Sequence, residues 1–372
     1  MRLAIDEAKR GLGRTSPNPA VGAVVVNKGR VVGVGYHKKA GTPHAEVHAI
    51  ADAGENARGG TIYVTLEPCN HTGRTPPCTK AILNAGLDRV VIGAMDPNPR
   101  VVGGGAAYLR TQGIEVVSGI LEAECRDLIR FFVKHNGTGM PWVIMKAGLS
   151  LDGKITLQRG EGTAITGTQS RCAVHRLRDR VDAILIGVGT ALIDDPSLTT
   201  RLDDKPDARD PLRIVLDSRL RLPANAKMLR QSSTASTWIV CGADASSERE
   251  RELVQAGAVV HRLPAASKGR PDLSKLLAFL GEQQIASVLV EGGAAVHGAF
   301  WGQQLVDELQ LYYAPILAGE QGLSLVSGYS LQNRLSSPSL TNISLELLGD
   351  DFLFRAMVAQ EGPKSTRPAT SP

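Results

Sequence analysis

The residues best suited to chemistry lie between Pro43 and Cys78. His44-Ala45-Glu46 opens a helical stretch, Glu67-Pro68-Cys69 ends a β-rich run, and Cys78 follows after HTGRTPP. One imidazole and two thiolates, from His44, Cys69 and Cys78, make a three-ligand zinc site with a fourth position left for water. Zinc brings the pKa of such a water towards ~7, which opens hydrolysis at neutral pH. Glu46, two residues beyond the histidine, is placed to move the proton without binding the metal.

Three other readings of these residues compete. A closed structural zinc site needs a fourth ligand, and His71 is the candidate. A zinc-protease helix needs H-E-x-x-H, but in His44-Ala45-Glu46-Val47-His48 the glutamate stands one place too late. His48 then falls one turn after His44, where it packs or supports the site. Two merely buried cysteines would leave the preceding His-x-Glu unexplained. An H-x-E followed by P-C is the pattern described for zinc deaminases of nucleobases, so hydrolytic deamination is the favoured chemistry.

A second set of polar residues is spread more widely. WVIMKAGLSLDGKI carries Lys146 at a strand end, and a helical stretch Thr168–Arg180 ends in Arg176, Arg178 and Arg180. The run AILIGVGT leads into Asp194-Asp195, and VLVEGG places Glu291 before the paired glycines Gly292 and Gly293. Paired glycines at a strand-to-helix junction let a phosphate approach the backbone, but a tight packing corner fits them equally well. Neither this segment nor Gly187-Val188-Gly189 is a G-x-G-x-x-G fingerprint, which disfavours a Rossmann fold.

These residues are carried by two α/β patterns in succession. In the first, Ala20–Asn27 and Arg30–His37 read as a hairpin turning at Lys28-Gly29, followed by a helical stretch His44–Gly54 and a strand Thr61–Leu66. Further helices are expected over Pro77–Gly86, Gly105–Gly113 and Glu122–Lys134, with strands at Arg89–Met95 and Ile114–Val117. Asn136-Gly137-Thr138-Gly139 with Pro141 reads as a linker. Beyond it, strand-like runs recur at Trp142–Ala147, Ala183–Val188, Arg213–Leu216, Thr237–Cys241, Ser287–Val290 and Glu308–Tyr313. The expected division is therefore 1–139 and 140–360, with a polar, proline-rich and disordered tail at 361–372.

Composition narrows the function classes. A chain of 372 residues is long for one core and suits two domains. It has 42% hydrophobic and 21% charged residues, as globular proteins do, and no apolar run of about 18 residues to span a membrane. The N-terminus lacks the layout of a signal peptide, and five scattered cysteines argue against a disulfide framework, so the cytoplasm is the expected location. A net charge of +5 could help to attract a phosphorylated substrate. Only 4% of residues are aromatic and no basic stripe is evident, so a nucleic-acid surface is not expected. The sequence is compatible with a homo-oligomer and does not fix one.

The segment TLEPCNHTGRTPPC, with PNPAVGAVVV before it and DPNP at Asp96–Pro99 after it, closely resembles the deaminase half of the bifunctional riboflavin-biosynthesis enzymes. Eight residues separate its two cysteines, where many nucleoside and nucleic-acid deaminases have C-x-x-C. The second set of segments, in this order, resembles the reductase half of the same family. The resemblance implies a three-layer cytidine-deaminase-like α/β domain followed by a dihydrofolate-reductase-like α/β domain. It also implies hydrolysis of the 2-amino group of a diaminopyrimidinone bearing a phosphoribosylamino side chain, then reduction of the ribosyl group to ribityl by NADPH. In one departure, Met1 falls inside the family's first helix.

Carried over by motif, His44, Cys69 and Cys78 would hold zinc and Glu46 would shuttle the proton. Asn18, His37, His71, Arg74, Asp96 and Asn98 would contact the deaminase substrate. In the second half Gly148, Ala164, Thr190, Asp194, Ser218 and the stretch Gly293, Ala294, Ala295, Val296, His297, Gly298, Ala299 would lie along NADPH. Gly162, Arg178, Leu198, Arg201 and Glu291 would face the reductase substrate, with Lys146, Asp194 and Glu291 as the candidate catalytic groups. At Gly162 and Ala164 the contacts implied are through the backbone. Cys125, Cys172 and Cys241 read as ordinary apolar side chains. A deaminase for another nucleobase, a nucleic-acid module and a purely structural zinc protein are the rival readings.

Overall fold

In a computed structural model the chain is described at residues 1–71, 76–96, 104–162, 164–264, 269–334 and 337–359. It divides into two compact units, one of Met1–Pro141 with Ala278–Ala286, the other of Trp142–Leu277 and the chain from Ser287 on. The tail 361–372 lies outside the described residues.

The first unit begins with α1 (Arg2–Arg10), for which Met1 is the N-cap residue. β1 (Gly22–Asn27) and β2 (Arg30–Tyr36) then pair antiparallel. Lys28 and Gly29, at φ 48° and 74°, form the two-residue turn that matches the strand twist. After α2 (Ala45–Ala53) come β3 (Thr61–Leu66), α3 (Cys78–Asn84), β4 (Arg89–Ala94), α4 (Gly105–Thr111) and β5 (Glu115–Ser118). The five-stranded sheet has the order β2-β1-β3-β4-β5, with β3, β4 and β5 parallel. Its core of Ala23, Val25, Ile62, Val64, Val90 and Ile92 packs against small helix residues such as Ala45, Ala49 and Ala106.

Two expectations are corrected at the end of this unit. The helix read as Glu122–Lys134 is broken at Ile129, at φ −109° and ψ 10°, into α5 (Glu122–Leu128) and α6 (Arg130–Thr138). Asn136–Thr138, read as linker, are helical. α6 tolerates Gly137 and ends only at Gly139, whose φ of 70° is the left-handed cap glycine favours.

The second unit is built on a nine-stranded sheet of order β10-β9-β8-β7-β11-β6-β12-β14-β13. The strands are β6 (Trp142–Ser150), β7 (Ala183–Gly187), β8 (Leu212–Leu216), β9 (Thr237–Gly242), β10 (Ala258–Leu263), β11 (Ser287–Val290), β12 (Glu308–Ala314), β13 (Leu340–Leu348) and β14 (Asp351–Val358). All neighbours are parallel except β12 with β14 and β14 with β13. Its helices are α7 (Thr168–Arg178), α8 (Val188–Asp194), α9 (Lys227–Arg230), α10 (Ser247–Gln255) and α12 (Ala294–Gly302), while α11 (Leu273–Glu282) counts with this unit up to Leu277 and with the first from Ala278. β11 and β7, at the centre, are buried along their whole length. Their continuous apolar runs are those of parallel strands covered on both faces.

Candidate active sites

Small residues set the depth of α2. β2 reads Gly33-Val34-Gly35, and a methyl group would lie 2.2 Å from Ala49 O at Gly33 and 2.4 Å from Ala49 N at Gly35. Ala45, Ala49 and Ala53 are buried on the facing side, so the helix backbone rests almost on the strand. That contact fixes where α2 begins, with His44 as the N-cap residue and Glu46 in the first turn. Cys69 follows β3, and Cys78 is the first residue of α3.

These elements bring three donors together. His44 Nδ1 lies 3.2 Å from Cys78 Sγ and 3.5 Å from Cys69 Sγ, and one ligand atom of each residue falls within 4.8 Å of the others. Tetrahedral zinc at ordinary bond lengths spaces a nitrogen and a sulfur ligand about 3.6 Å apart, so this donor set fits zinc. Cys78 N–H donates to Cys69 Sγ at 3.3 Å. Hydrogen bonds from the Cys78 thiol and from His44 draw Cys69 down to about 4 against the effect of burial. The Cys78 thiol, sharing that proton and buried, is pushed up. Among the described residues His71 does not join the cluster. It is exposed and lines the adjoining cavity.

Glu46 is only 3% exposed, and burial pushes its carboxyl up to about 7. It faces a cavity of about 530 Å³ together with Asn18, His37, His71 and Asp96. Asn18 Nδ2 lies 3.3 Å from His37 Nε2, and His37 Nδ1 lies 3.1 Å from Pro43 O. The amide donates to Nε2, so the ring proton sits on Nδ1 and points at the carbonyl. Burial, first of all, lowers the pKa of His37. Arg74 and Asn98 lie outside the described residues.

Glu67 has a role that its motif did not reveal. Its carboxylate accepts the N–H of Asp96 at 3.2 Å on Oε2 and that of Ala106, in the first turn of α4, at 3.0 Å on Oε1. It thereby ties Asp96, at the cavity wall, to the segment after β3 that carries Cys69. The sequence signal was a buried acid beside a ligand, but its partners stand 29 and 39 residues away.

The second unit gathers its polar groups at the ends of parallel strands. A cavity of about 340 Å³ is lined by Lys146 and Gly148 from β6, Gly162 and Ala164 from the following loop, and Thr190 and Asp194 from α8. Glu291, Gly293 and His297 close it from the β11–α12 junction. Arg178 grips Glu291 through two hydrogen bonds of 2.8 and 2.9 Å, and Lys146 Nζ lies 3.5 Å away. Burial opposes ionisation of Glu291, but Arg178 and then Lys146 outweigh it and hold the carboxyl well below its usual range. At Asp194 lost hydration acts alone and pushes the carboxyl up.

Close approach explains several glycines here. A methyl group at Gly162 would overlap Asp194 Oδ1, 1.7 Å away, and one at Gly292 would strike Ile186 Cα at 2.4 Å. Gly293, at φ 70° and 3.0 Å from Thr190 Oγ1 by the same measure, forms the N-cap of α12. This is a cradle that a side chain would fill, and it suits a phosphate-bearing cofactor. The other expected residues lie outside the cavity wall. Ala294 and Gly298 are buried by packing, and a methyl group on Gly298 would meet Ser327 O at 2.0 Å. Ala295 is exposed, and Val296 and Ala299 are half-buried. Arg178, Leu198, Arg201 and Ser218 do not line this cavity either, although Arg178 reaches it through Glu291.

Comparison with known proteins agrees with both halves. The zinc-binding region of cytidine and deoxycytidylate deaminases matches residues 1–94, and the RibD C-terminal domain matches residues 141–354. Fold and site together define a zinc-region deaminase fused to a reductase. The riboflavin biosynthesis protein RibD of Bacillus amyloliquefaciens is 42% identical over 96% of this chain and 95% of its own. The structure of Acinetobacter baumannii RibD superposes with a TM-score of 0.85 at 38% identity, covering 96% of this chain and 98% of that one. The diaminohydroxyphosphoribosylaminopyrimidine deaminase/5-amino-6-(5-phosphoribosylamino)uracil reductase of Thermotoga maritima gives 0.84 at 36% identity, covering 96% and 97%. This chain belongs to the RibD family and is a bifunctional deaminase and reductase of riboflavin biosynthesis.

Proposed function

We propose that the first unit hydrolyses 2,5-diamino-6-(5-phosphoribosylamino)pyrimidin-4(3H)-one to 5-amino-6-(5-phosphoribosylamino)uracil. The second unit then reduces the ribosyl side chain of that product to the ribitylamino phosphate with NADPH. The observation that carries the reading is the triangle of His44, Cys69 and Cys78 beside the buried Glu46, opening on a cavity of about 530 Å³. Residues 1–139 and 140–360 are the functional domains in this reading, and the cytoplasm, where such a soluble phosphorylated substrate is kept, is the location.

Zinc held by the three donors supplies a Lewis acid that makes water nucleophilic near neutral pH. Glu46 takes a proton from the attacking water and returns it to the leaving amine. Burial raises its carboxyl pKa and so helps it to hold the proton between the two transfers. Asn18 spends one N–H on His37 and keeps its other N–H and its carbonyl for the pyrimidine edge. Asp96, held by Glu67, stands at the same wall. Arg74 is the proposed cation for the phosphate, and Asn98 a further polar contact.

In the second unit NADPH supplies the hydride when bound. Gly293 and Thr190 form the proposed phosphate cradle, with Gly148, Ala164, Ser218 and α12 along the cofactor. Glu291, paired with Arg178, stays a carboxylate and orients substrate hydroxyls. Lys146 and Asp194 are the groups left to give the proton that opening and reducing a ribosylamine requires. Incubation with the diaminopyrimidinone phosphate tests the whole reading by product mass. Deaminated product is expected without NADPH and ribityl product with it. Turnover of free nucleosides in place of this substrate would overturn it.

A further inference from the structure

α7 carries an imidazole that the proposed chemistry leaves unused. His175 Nδ1 lies 3.2 Å from the backbone N of Arg201. An amide N–H can only donate, so Nδ1 is the acceptor and the ring proton sits on Nε2. Arg201 Nη2 is 3.4 Å from that Nε2, too far and of the wrong polarity for a second good hydrogen bond. The same short stretch is gripped by Arg178, whose Nη1 donates to Thr199 O at 3.0 Å, while Arg201 Nη1 donates to Thr199 Oγ1 at 3.1 Å. The charged groups around the ring are Arg178 on its own helix, Arg201 on the stretch after α8, and Glu291 after β11. Adding a proton to Nδ1 would set N–H against N–H and place a third positive charge beside two guanidinium groups.

We infer that His175 is a positioning residue for the reductase: its neutral imidazole fixes the main chain at Arg201 and thereby aims the Arg201 guanidinium at an anionic group of the substrate. The inference rests on the reading of Arg201 as a substrate contact. Burial, and then Arg178 and Arg201, pull the His175 pKa down to about 4, so the acceptor at Nδ1 persists throughout the working range. The Arg201 side chain is exposed, and its guanidinium touches only Thr199 Oγ1 and the His175 ring among the described hydrogen bonds, so its approach direction follows the stretch that His175 holds. Arg178 differs: its guanidinium is committed to Glu291 and needs no such help.

The test is a reductase assay on the deaminated pyrimidine phosphate with NADPH, using H175F, H175N, R201A and the H175F/R201A double variant. Loss of one structural hydrogen bond at the substrate contact should raise KM for the pyrimidine about tenfold in H175F. The KM for NADPH, kcat and the deaminase rate should stay unchanged. H175N, whose side-chain oxygen reaches the place of Nδ1, should recover most of the affinity, and H175F should add nothing to R201A. Additive effects in the double variant, or H175N as damaging as H175F, would overturn the inference while leaving the reading of Arg201 intact. An unchanged KM in R201A would instead sink that reading and the inference with it. If H175F does not fold, H175N alone decides, a normal KM supporting the role and a tenfold rise refuting it.

Discussion

The two catalytic regions hold charge in opposite ways. In the deaminase unit, soft donors and a buried acid meet at the N-termini of α2 and α3, and burial raises the Glu46 carboxyl beside the donors that would hold zinc. In the reductase unit, Glu291 is half-buried and lies against Arg178 and Lys146, which hold it ionised. The same residue type is therefore suited to carrying a proton in one place and to staying an anion in the other. Burial raises both carboxyls, and at Glu291 the paired Arg178 and Lys146 reverse its effect.

The largest break in this comparison should come from Cys78→Ala. The native chain should bind one zinc, and the variant none, with deaminase turnover abolished and reductase turnover kept. Elemental analysis showing full zinc retention would remove Cys78 from the ligand set. Lys146→Ala should do the converse. Loss of a proton donor costs ~10²–10⁴-fold, so reduction should slow by that order while the deaminated intermediate accumulates. Normal ribityl production by this variant would leave the proton to Asp194.

A smaller effect is expected from Glu67→Gln. One amide N–H would then face the N–H of Asp96 or Ala106, a mismatch that typically costs about 1–3 kcal/mol. Asp96 should shift, and deaminase kcat/KM should fall about tenfold with zinc still bound. An unchanged kcat/KM would show that Asp96 needs no such tie.

The deaminase site was legible because its residues are chemically rare types at short spacing. His44, Glu46, Cys69 and Cys78 fall within one βαβα stretch. The reductase site was not legible from spacing. Lys146 and Glu291 stand 145 residues apart, and only resemblance joined them. Pairing between distant strand ends leaves no local pattern. Local reading also missed β10, β13 and β14, which lie at or beside the two edges of the large sheet. β13 does carry a strand-like alternation at Ile343-Ser344-Leu345-Glu346-Leu347, which the local reading passed over, and it is exposed along nearly its whole length. α8 was missed because Val188-Gly189 at its head have poor helix propensity.

The smallest expected effect is on stability. His297 is 1% exposed, and burial lowers its pKa from 6.5 to about 4. Between those values the unfolded chain holds more protons than the folded one, so stability falls as pH drops through that window. The His297 contribution should be level above pH 6.5 and fall by on the order of 1–3 kcal/mol by pH 4. His297→Asn should make the slope over that window shallower in thermal melts, with the part due to His175 remaining. A variant that keeps the full slope would assign it to other groups.

The central claim is that two independent chemistries share one chain, and Glu46→Gln tests it most directly. The amide keeps the shape of the carboxyl and leaves His44, Cys69 and Cys78 free to hold zinc, but it can neither take nor give the proton. With the diaminopyrimidinone phosphate and NADPH, product formation should fall by ~10²–10⁴-fold. Given the deaminated intermediate instead, the same zinc-loaded protein should reduce it at the native rate. Loss of both activities in a folded, zinc-loaded variant would contradict the account.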